Sequence, residues 1–149
     1  MIYKPNGFEL YEVLPKEFYE AHKYYGDKLW WMFDSRALWT IEQLRRVYDT
    51  AVLNDWYWGG INQYRGWRPF DSKVGALISQ HKFGRAFDLK FKYHTSEEIR
   101  EDILRDPDNP IFKYIMCIEE GISWFHFDVR SWDRYNKGIL MIKPRRIKK

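Results

Sequence analysis

The ten residues SQHKFGRAFD, Ser79 to Asp88, decide how the rest of this chain is arranged. His81 and Asp88 are seven residues apart, whereas side chains that meet on one helix are three or four residues apart. The spacing therefore favours a loop that leads into a strand. Gly84 lies between the two, and glycine allows the tight backbone turn that such a loop needs. We expect the imidazole and the carboxylate to meet where this strand begins.

From Ala86 onward the sequence alternates between two kinds of side chain, as a half-buried strand does. One face would carry Ala86, Asp88 and Lys90, and the other would carry Phe87, Leu89, Phe91 and Tyr93. The aromatic and aliphatic face is expected in the core. Asp88 would then be presented on the opposite side of the strand, beside His81.

A second alternating stretch, WFHFDVR at residues 124–130, supplies a partner for this pair. Burial of Phe125, Phe127 and Val129 would leave His126 on the opposite face of a second strand. Three protein ligands of this kind, with water in the fourth position, are typical of a catalytic zinc site. We therefore expect one Zn²⁺ bound by His81, Asp88 and His126.

Both motifs resemble those of the M15 zinc peptidases. SQHKFGRAFD fits the signature S-x-H-x-x-G-x-A-x-D, and WFHFD is similar to the second motif, W-x-H-x-D. The family comprises D-Ala-D-Ala carboxypeptidases and dipeptidases and the L-alanyl-D-glutamate endopeptidases of phage endolysins, and its fold is shared with the hedgehog signalling domain. The resemblance covers roughly residues 34–130. It implies an α+β domain with a small antiparallel sheet, helices on one face of the sheet and a zinc cleft on the other.

The general base is where the chain departs from the M15 pattern. Many M15 enzymes carry an acid three residues before the third ligand, and this chain has Ser123 there. Hedgehog-type members place a glutamate six residues before it, which corresponds to Glu120. A helix predicted over 111–120 would end at this residue. Glu120 is the first candidate for the base, followed by Glu119 and Asp128, and both glutamates could instead be solvated charges at a helix end.

Three further residues have expected roles in the cleft. The resemblance places Arg68 where the family has the arginine of S-G-Y-R, with Arg65 in place of the serine. Arg68 would stabilise the negative charge that builds on oxygen during attack on a carbonyl, unless it is a surface arginine beside Pro69. Ser79 resembles the family's substrate-contacting serine, and Asp128 is a second candidate for substrate binding.

The scaffold around these motifs is predicted from capping and turn signals. Pro15 favours a helix to about residue 25, and capping boxes at Thr40 and Thr95 predict helices to about residues 51 and 104. The middle helix would bury Ile41, Leu44, Val47 and Tyr48. A last strand is predicted over 138–142. His94 is either a fourth zinc ligand or a partly exposed histidine at a strand end.

Composition limits the classes of partner. The 149 residues suit one domain, 1–149, and 25 Lys and Arg against 21 Asp and Glu give no reason to expect nucleic acid. The single cysteine, Cys117, is expected to be a packed thiol. The first residues resemble no signal peptide, and no stretch is apolar for the length of a membrane span. A basic tail occupies 143–149, and oligomeric state is not readable from the sequence.

The function implied by the resemblance is hydrolysis of a peptide bond in the peptidoglycan stem peptide, as an endopeptidase or a D,D-carboxypeptidase. Without a signal peptide, the protein is expected to be made in the cytoplasm. It would act at the bacterial cell wall after release as a phage endolysin, or be carried in a virion. The alternative is a non-catalytic virion or wall-binding protein that keeps the fold and possibly the zinc. Ser123 favours that alternative, and a hedgehog-like Glu120 opposes it.

Overall fold

Five strands form one sheet at the centre of the computed structural model, which describes residues 1–144. In chain order they are β1 (Ala51–Val52), β2 (Ala86–Phe91), β3 (Cys117–Glu119), β4 (Phe125–Asp128) and β5 (Leu140–Ile142). Their order across the sheet is β1, β2, β4, β3, β5. Most neighbours are antiparallel, but β3 and β5 run parallel. The α+β class and the small sheet are confirmed, but the sheet is mixed rather than antiparallel.

The pairing of β2 with β4 fixes which side chains face the core. Asp88 lies opposite His126, and Phe87 lies opposite Phe127. Successive side chains of a strand point to opposite faces, so the two aromatic rings share one face and the two polar groups share the other. Phe87 and Phe127 are fully buried in the core. The alternation predicted for both stretches is confirmed within β2 and β4.

Residues 1–144 also contain four α-helices. They are α1 (Lys16–His22), α2 (Ser35–Tyr48), α3 (Ser96–Arg105) and α4 (Arg134–Lys137). The helix predicted after Thr95 is confirmed as α3. The Thr95 hydroxyl caps it by accepting a hydrogen bond from Glu98 N. The N-terminal helix is shorter than expected: it ends at His22 and continues as 3-10 turns to Met32.

The start predicted for α2 at Thr40 is wrong. Asp34 caps this helix through a hydrogen bond from Arg36 N, and Thr40 lies inside the helix with its hydroxyl donated to the Arg36 carbonyl. An aspartate at the N-cap satisfies a backbone N–H that the helix leaves free, so the earlier residue begins the helix. The buried stripe includes Ile41, Leu44 and Tyr48 as predicted, but Val47 is exposed.

The helix predicted over 111–120 is also wrong. The structure has a 3-10 turn at Pro110–Phe112, capped by Asn109, and then the strand β3. The apolar residues of this stretch are spaced for a helix, yet Ile118 pairs with Phe127 of β4 on one side and with Met141 of β5 on the other. Hydrogen bonding to two neighbouring strands outweighs the local pattern, since helix propensity is a weak preference.

Helices cover the aromatic face of the sheet. The core includes Leu38 and Leu44 of α2 together with Ile99 and Ile103 of α3. The predicted last strand is present as β5. Among residues 1–144, no helix is both long enough and apolar enough to cross a membrane. Residues 145–149 of the predicted basic tail lie outside the described residues.

We predict that Phe87→Ala destabilises the protein by about 3–5 kcal/mol, because it opens a cavity in a close-packed core. Tyr93→Ala is the matched control. The alternation placed Tyr93 on the buried face, but β2 ends before it and Tyr93 is 61% exposed. Urea unfolding followed by tryptophan fluorescence measures both variants. A Tyr93 variant that loses as much stability as the Phe87 variant would contradict these strand boundaries.

Candidate metal centre

His81, Asp88 and His126 come together on the polar face of the sheet. Each side chain offers one ligand atom, and these three atoms lie within 4.8 Å of one another. All three residues are buried. Two imidazole nitrogens and a carboxylate oxygen converging on one point form a group that could bind a metal ion.

The backbone around His81 fixes which of its nitrogens faces the group. His81 lies in the 3-10 turn Gln80–Phe83, and its own backbone N–H donates to Ser79 Oγ, which caps the turn. Its Nδ1 is 2.8 Å from the Gly66 carbonyl oxygen. A carbonyl can only accept, so Nδ1 carries the proton and Nε2 keeps its lone pair. That Nε2 lies 3.3 Å from Asp88 Oδ1 and is the atom through which His81 could bind a metal ion.

Gly84 ends this turn at a position where no other residue fits. Its φ is +67°, and an added Cβ would lie 2.1 Å from the Met32 carbonyl oxygen. Both the left-handed backbone and the close approach to a neighbouring chain segment require glycine. The tight turn predicted between His81 and Asp88 is therefore confirmed.

His126 faces the group through its other nitrogen. Its Nδ1 is 2.8 Å from Asp88 Oδ1, and its Nε2 is 3.0 Å from Asp128 Oδ2. Asp128 is held in turn by Arg130, whose Nε and Nη2 donate at 2.8 Å and 2.7 Å. A carboxylate on the far nitrogen of a histidine is the arrangement that orients metal-binding imidazoles in many proteins.

The pKa values of the two histidines are shifted in opposite directions. Burial lowers the pKa of His81 below its ordinary value. Burial acts in the same direction on His126, but hydrogen bonds to Asp128 and Asp88 outweigh it and raise its pKa to about 9. Burial would raise the pKa of Asp88, yet the charges and hydrogen bonds of the two histidines hold it well below its usual range. The shared carboxylate is therefore ionised and attracts cations.

Arg68 contacts the carboxylate oxygen of Asp88 that the two histidines do not contact. Its Nη2 lies 3.4 Å from Asp88 Oδ2, its Nη1 donates to Ser79 Oγ at 3.4 Å, and its Nε donates to the Tyr64 carbonyl at 2.7 Å. Burial lowers the pKa of this guanidinium. The structure therefore brings Arg68 into the site, in contact with Asp88 and Ser79, and the alternative of a surface arginine is wrong.

The two candidate glutamates lie on opposite sides of the strand end. Continuing the β3–β4 register by one residue brings Glu119 opposite His126, on the polar face. Burial raises the pKa of Glu119, and the charges of His126, Asp88 and Arg68 act on it as well. Glu120 instead points away, with its carboxylate 3.7 Å from Lys143 Nζ. The expected first choice for a base is therefore outside the group, and the second choice is beside it.

The remaining predicted residues occupy simpler positions. Asp128 is fully buried between His126 and Arg130, so the structure gives its carboxylate a supporting position rather than one open to substrate. His94 is a partly exposed histidine, as one of its two predicted alternatives had it, and its Nδ1 lies 3.2 Å from Glu98 Oε2. Cys117 is a packed thiol, as predicted, and burial raises its pKa to about 12.

Sequence reasoning did not assign roles to the backbone acceptors and to Arg130. The Gly66 carbonyl sets the proton position on His81, and the Tyr64 carbonyl orients Arg68. Backbone acceptors leave no signal in side-chain patterns. Arg130 could have been found, because it follows Asp128 by two residues on an alternating strand, where the two side chains share a face.

Comparison with family models, with curated proteins and with solved structures finds no match for this chain.

We predict that a divalent metal stabilises the protein through these three side chains. A metal present at a hundredfold excess over its Kd should add about 2.7 kcal/mol to the free energy of unfolding. For a domain of this size, that corresponds to a Tm increase of roughly 5–10 °C. The shift should disappear on chelation and in His81→Ala, and should persist in His94→Ala. Calorimetry with Zn²⁺ measures it, and an equal shift in both variants would place the metal elsewhere.

We predict that Gly75→Ala displaces Arg68. An added Cβ would lie 2.5 Å from Arg68 Nη1, and the φ of Gly75 is +78°. Gly59→Ala is the matched control, because Gly59 has a φ of +92° and nothing within 4 Å of an added Cβ. Both variants should lose about 1–2 kcal/mol to backbone strain. The Arg68 Nε–H resonance should shift only in Gly75→Ala, and an unchanged resonance would refute this contact.

Proposed function

We propose that this chain is a zinc-dependent peptidase of the M15 type that hydrolyses a peptide bond in the peptidoglycan stem peptide. The observation that carries the proposal is the buried group of His81, Asp88 and His126, with Glu119 beside it on the polar face. The two sequence motifs that resemble the M15 signature are the same two segments that meet in this group. A hedgehog-like fold is part of the proposal.

Zinc is the metal that the donor set favours. Two imidazoles and one carboxylate make a three-ligand set with room for a fourth position, which is the composition of catalytic rather than structural zinc sites. Hydrogen bonds to the Gly66 carbonyl and to Asp128 orient the two histidines, as the second layer of a zinc site does. When bound, zinc would supply a Lewis acid that polarises the scissile carbonyl and activates water for attack.

Three residues around the group have separate roles in the proposed hydrolysis. Glu119 takes the proton from the attacking water at its carboxylate and returns it to the leaving amine. Burial raises the pKa of this carboxyl, which is the direction that suits a group that must also give the proton back. Arg68 pairs with Asp88 and adds a fixed positive charge near the developing oxyanion. Ser79 accepts a hydrogen bond from Arg68 and, as in the family it resembles, would contact the substrate.

A peptidase of this kind would act on the bacterial cell wall, as a phage endolysin or as a virion-associated lysin. The resemblance to endolysin peptidases supports this setting. A non-catalytic wall-binding or virion protein is the second candidate. It is favoured by Ser123, which stands where many M15 enzymes have an acid, and it is opposed by Glu119 on the polar face.

We predict that Glu119→Gln lowers hydrolysis of purified peptidoglycan by about 10²–10⁴-fold, the usual contribution of a general base. Glu120→Gln is the matched control, because it changes the adjacent residue in the same way but removes only a contact with Lys143 at the surface. The release of new amino groups by the zinc-loaded protein measures turnover. Mass spectrometry of the fragments then identifies the bond.

Two outcomes would contradict this assignment. Loss of activity in Glu120→Gln with full activity in Glu119→Gln would return the base to the residue that the sequence favoured. A wild-type protein that binds zinc but releases no amino groups from walls of several chemotypes would leave the non-catalytic candidate. His81→Ala, which removes a ligand, separates metal-dependent turnover from contaminating activity.

A further inference from the structure

A cluster of aromatic rings lies at the surface of the molecule, and none of its members belongs to the candidate metal centre. We call it the aromatic platform; its members are Tyr11, Tyr19, Trp56, Tyr57 and Trp58. None of these residues is buried, and Tyr57 and Trp58 are 52% and 58% exposed. Neighbouring aromatic rings that the fold leaves at the surface are typical of an interaction site.

The rings of the platform pack against one another in defined orientations. Tyr11 and Tyr57 are parallel, with ring centroids 3.8 Å apart. The ring of Trp58 stands at 89° to both, with its centroid 5.6 Å from that of Tyr11 and 5.9 Å from that of Tyr57. Stacked and perpendicular pairs are the favourable arrangements of aromatic rings. The two most exposed rings therefore present surfaces at a right angle to each other.

Hydrogen bonds fix the segment that carries these rings. Trp56 Nε1 donates to the Leu14 carbonyl oxygen at 2.8 Å, and Nδ2 of the buried Asn54 donates to the same oxygen at 3.1 Å. Asn54 Oδ1 accepts from Arg65 N at 3.0 Å, and the Arg65 carbonyl accepts from Asp88 N at 2.8 Å. The platform is therefore formed before a ligand binds, and its segment has a fixed place relative to β2.

The platform also carries polar atoms that the protein itself does not use. Within residues 1–144, the hydroxyls of Tyr11, Tyr19 and Tyr57 and the indole N–H of Trp58 make no hydrogen bond, and none of these atoms is buried. An indole N–H can only donate, whereas a phenol hydroxyl can donate and accept. A ligand that lies on these rings would therefore find hydrogen-bond partners at their edges.

The charges near the platform oppose an anionic ligand. Partial burial raises the pKa of Tyr11, and the negative charges of Glu9 and Glu12 act in the same direction. In the part of the chain that the structure describes, no lysine or arginine lies over a ring of the platform. Nucleic acids and other polyphosphates bind mainly through such cations. The platform therefore suits a neutral ligand.

We propose that the aromatic platform binds a neutral chain of N-acetylated sugars. The C–H groups on one face of a pyranose ring carry a partial positive charge and pack on the electron-rich faces of Tyr57 and Trp58. The acetamido carbonyl can only accept a hydrogen bond, so it is the natural partner of the Trp58 N–H, which can only donate. This inference does not rest on the proposed peptidase function, and binding of this kind needs no metal.

The probes that test the platform are chitotetraose, a chain of N-acetylglucosamine, and cellotetraose, the corresponding chain of glucose. NMR titration of the full chain follows the indole N–H resonance of Trp58. Chitotetraose should shift this resonance to saturation and bind more tightly than cellotetraose. Trp58→Ala should weaken binding of chitotetraose by about tenfold, as expected when one stacking ring is lost. Trp31→Ala is the matched control, because Trp31 is 68% exposed and lies outside the platform.

Trp58→Phe separates the two parts of the proposal. It keeps an aromatic ring but removes the N–H donor, so it should still bind both sugars and should lose the preference for chitotetraose. An unchanged preference in this variant, or equal affinity of the wild type for both sugars, would overturn the acetamido contact.

Two further outcomes would overturn the site as a whole. One is the absence of a saturable shift with either sugar, and the other is an equal loss of affinity in Trp31→Ala and Trp58→Ala. Because neither sugar is a peptide, these results do not depend on hydrolysis at the candidate metal centre. Failure of the platform and failure of the peptidase function are therefore distinguishable.

Discussion

The pairing of β2 with β4 is the constraint on which the candidate centre depends. It sets Asp88 opposite His126 on one face and Phe87 opposite Phe127 on the other. A slip of one residue would turn the aromatic rings to the polar side and bury the carboxylate and the imidazole in the core. The hydrophobic core therefore enforces the register, and the register in turn brings the ligand atoms together.

The buried charges of the centre are arranged so that each has a partner. Asp88 is shared by His81, His126 and Arg68, and Asp128 is held by Arg130. Removing one partner from a buried charged group is costly, because the remaining charge keeps its desolvation penalty. His126 lies between the two carboxylates and connects them, which explains its raised pKa. The same arrangement holds its ring in one orientation.

Side chains of arginine hold the segments around the sheet that have no regular structure. Arg100 binds carbonyl oxygens of the connection between β3 and β4, and Arg134 binds those of Pro107, Phe112 and Ile115 before β3. Both side chains therefore provide hydrogen-bond donors for carbonyl oxygens in the segments that flank β3. These contacts lie on both sides of β3 along the chain, and β3 is the three-residue strand that presents Glu119.

The sequence by itself determined the features that rest on local patterns. Strict alternation determined β2 and β4 and two of the candidate ligands, Asp88 and His126, because side chains of a strand change face at every residue. The third, His81, followed from its spacing to Asp88 and from Gly84 in the loop between them. Thr95 determined the start of α3, because a cap acts within one helical turn. Only the tertiary structure decided that 117–119 form a strand rather than part of a helix, since its partners β4 and β5 follow later in the chain. That decision also separated Glu119 from Glu120: adjacent residues of a strand face opposite sides, so the strand places the first beside His126 and the second beside Lys143.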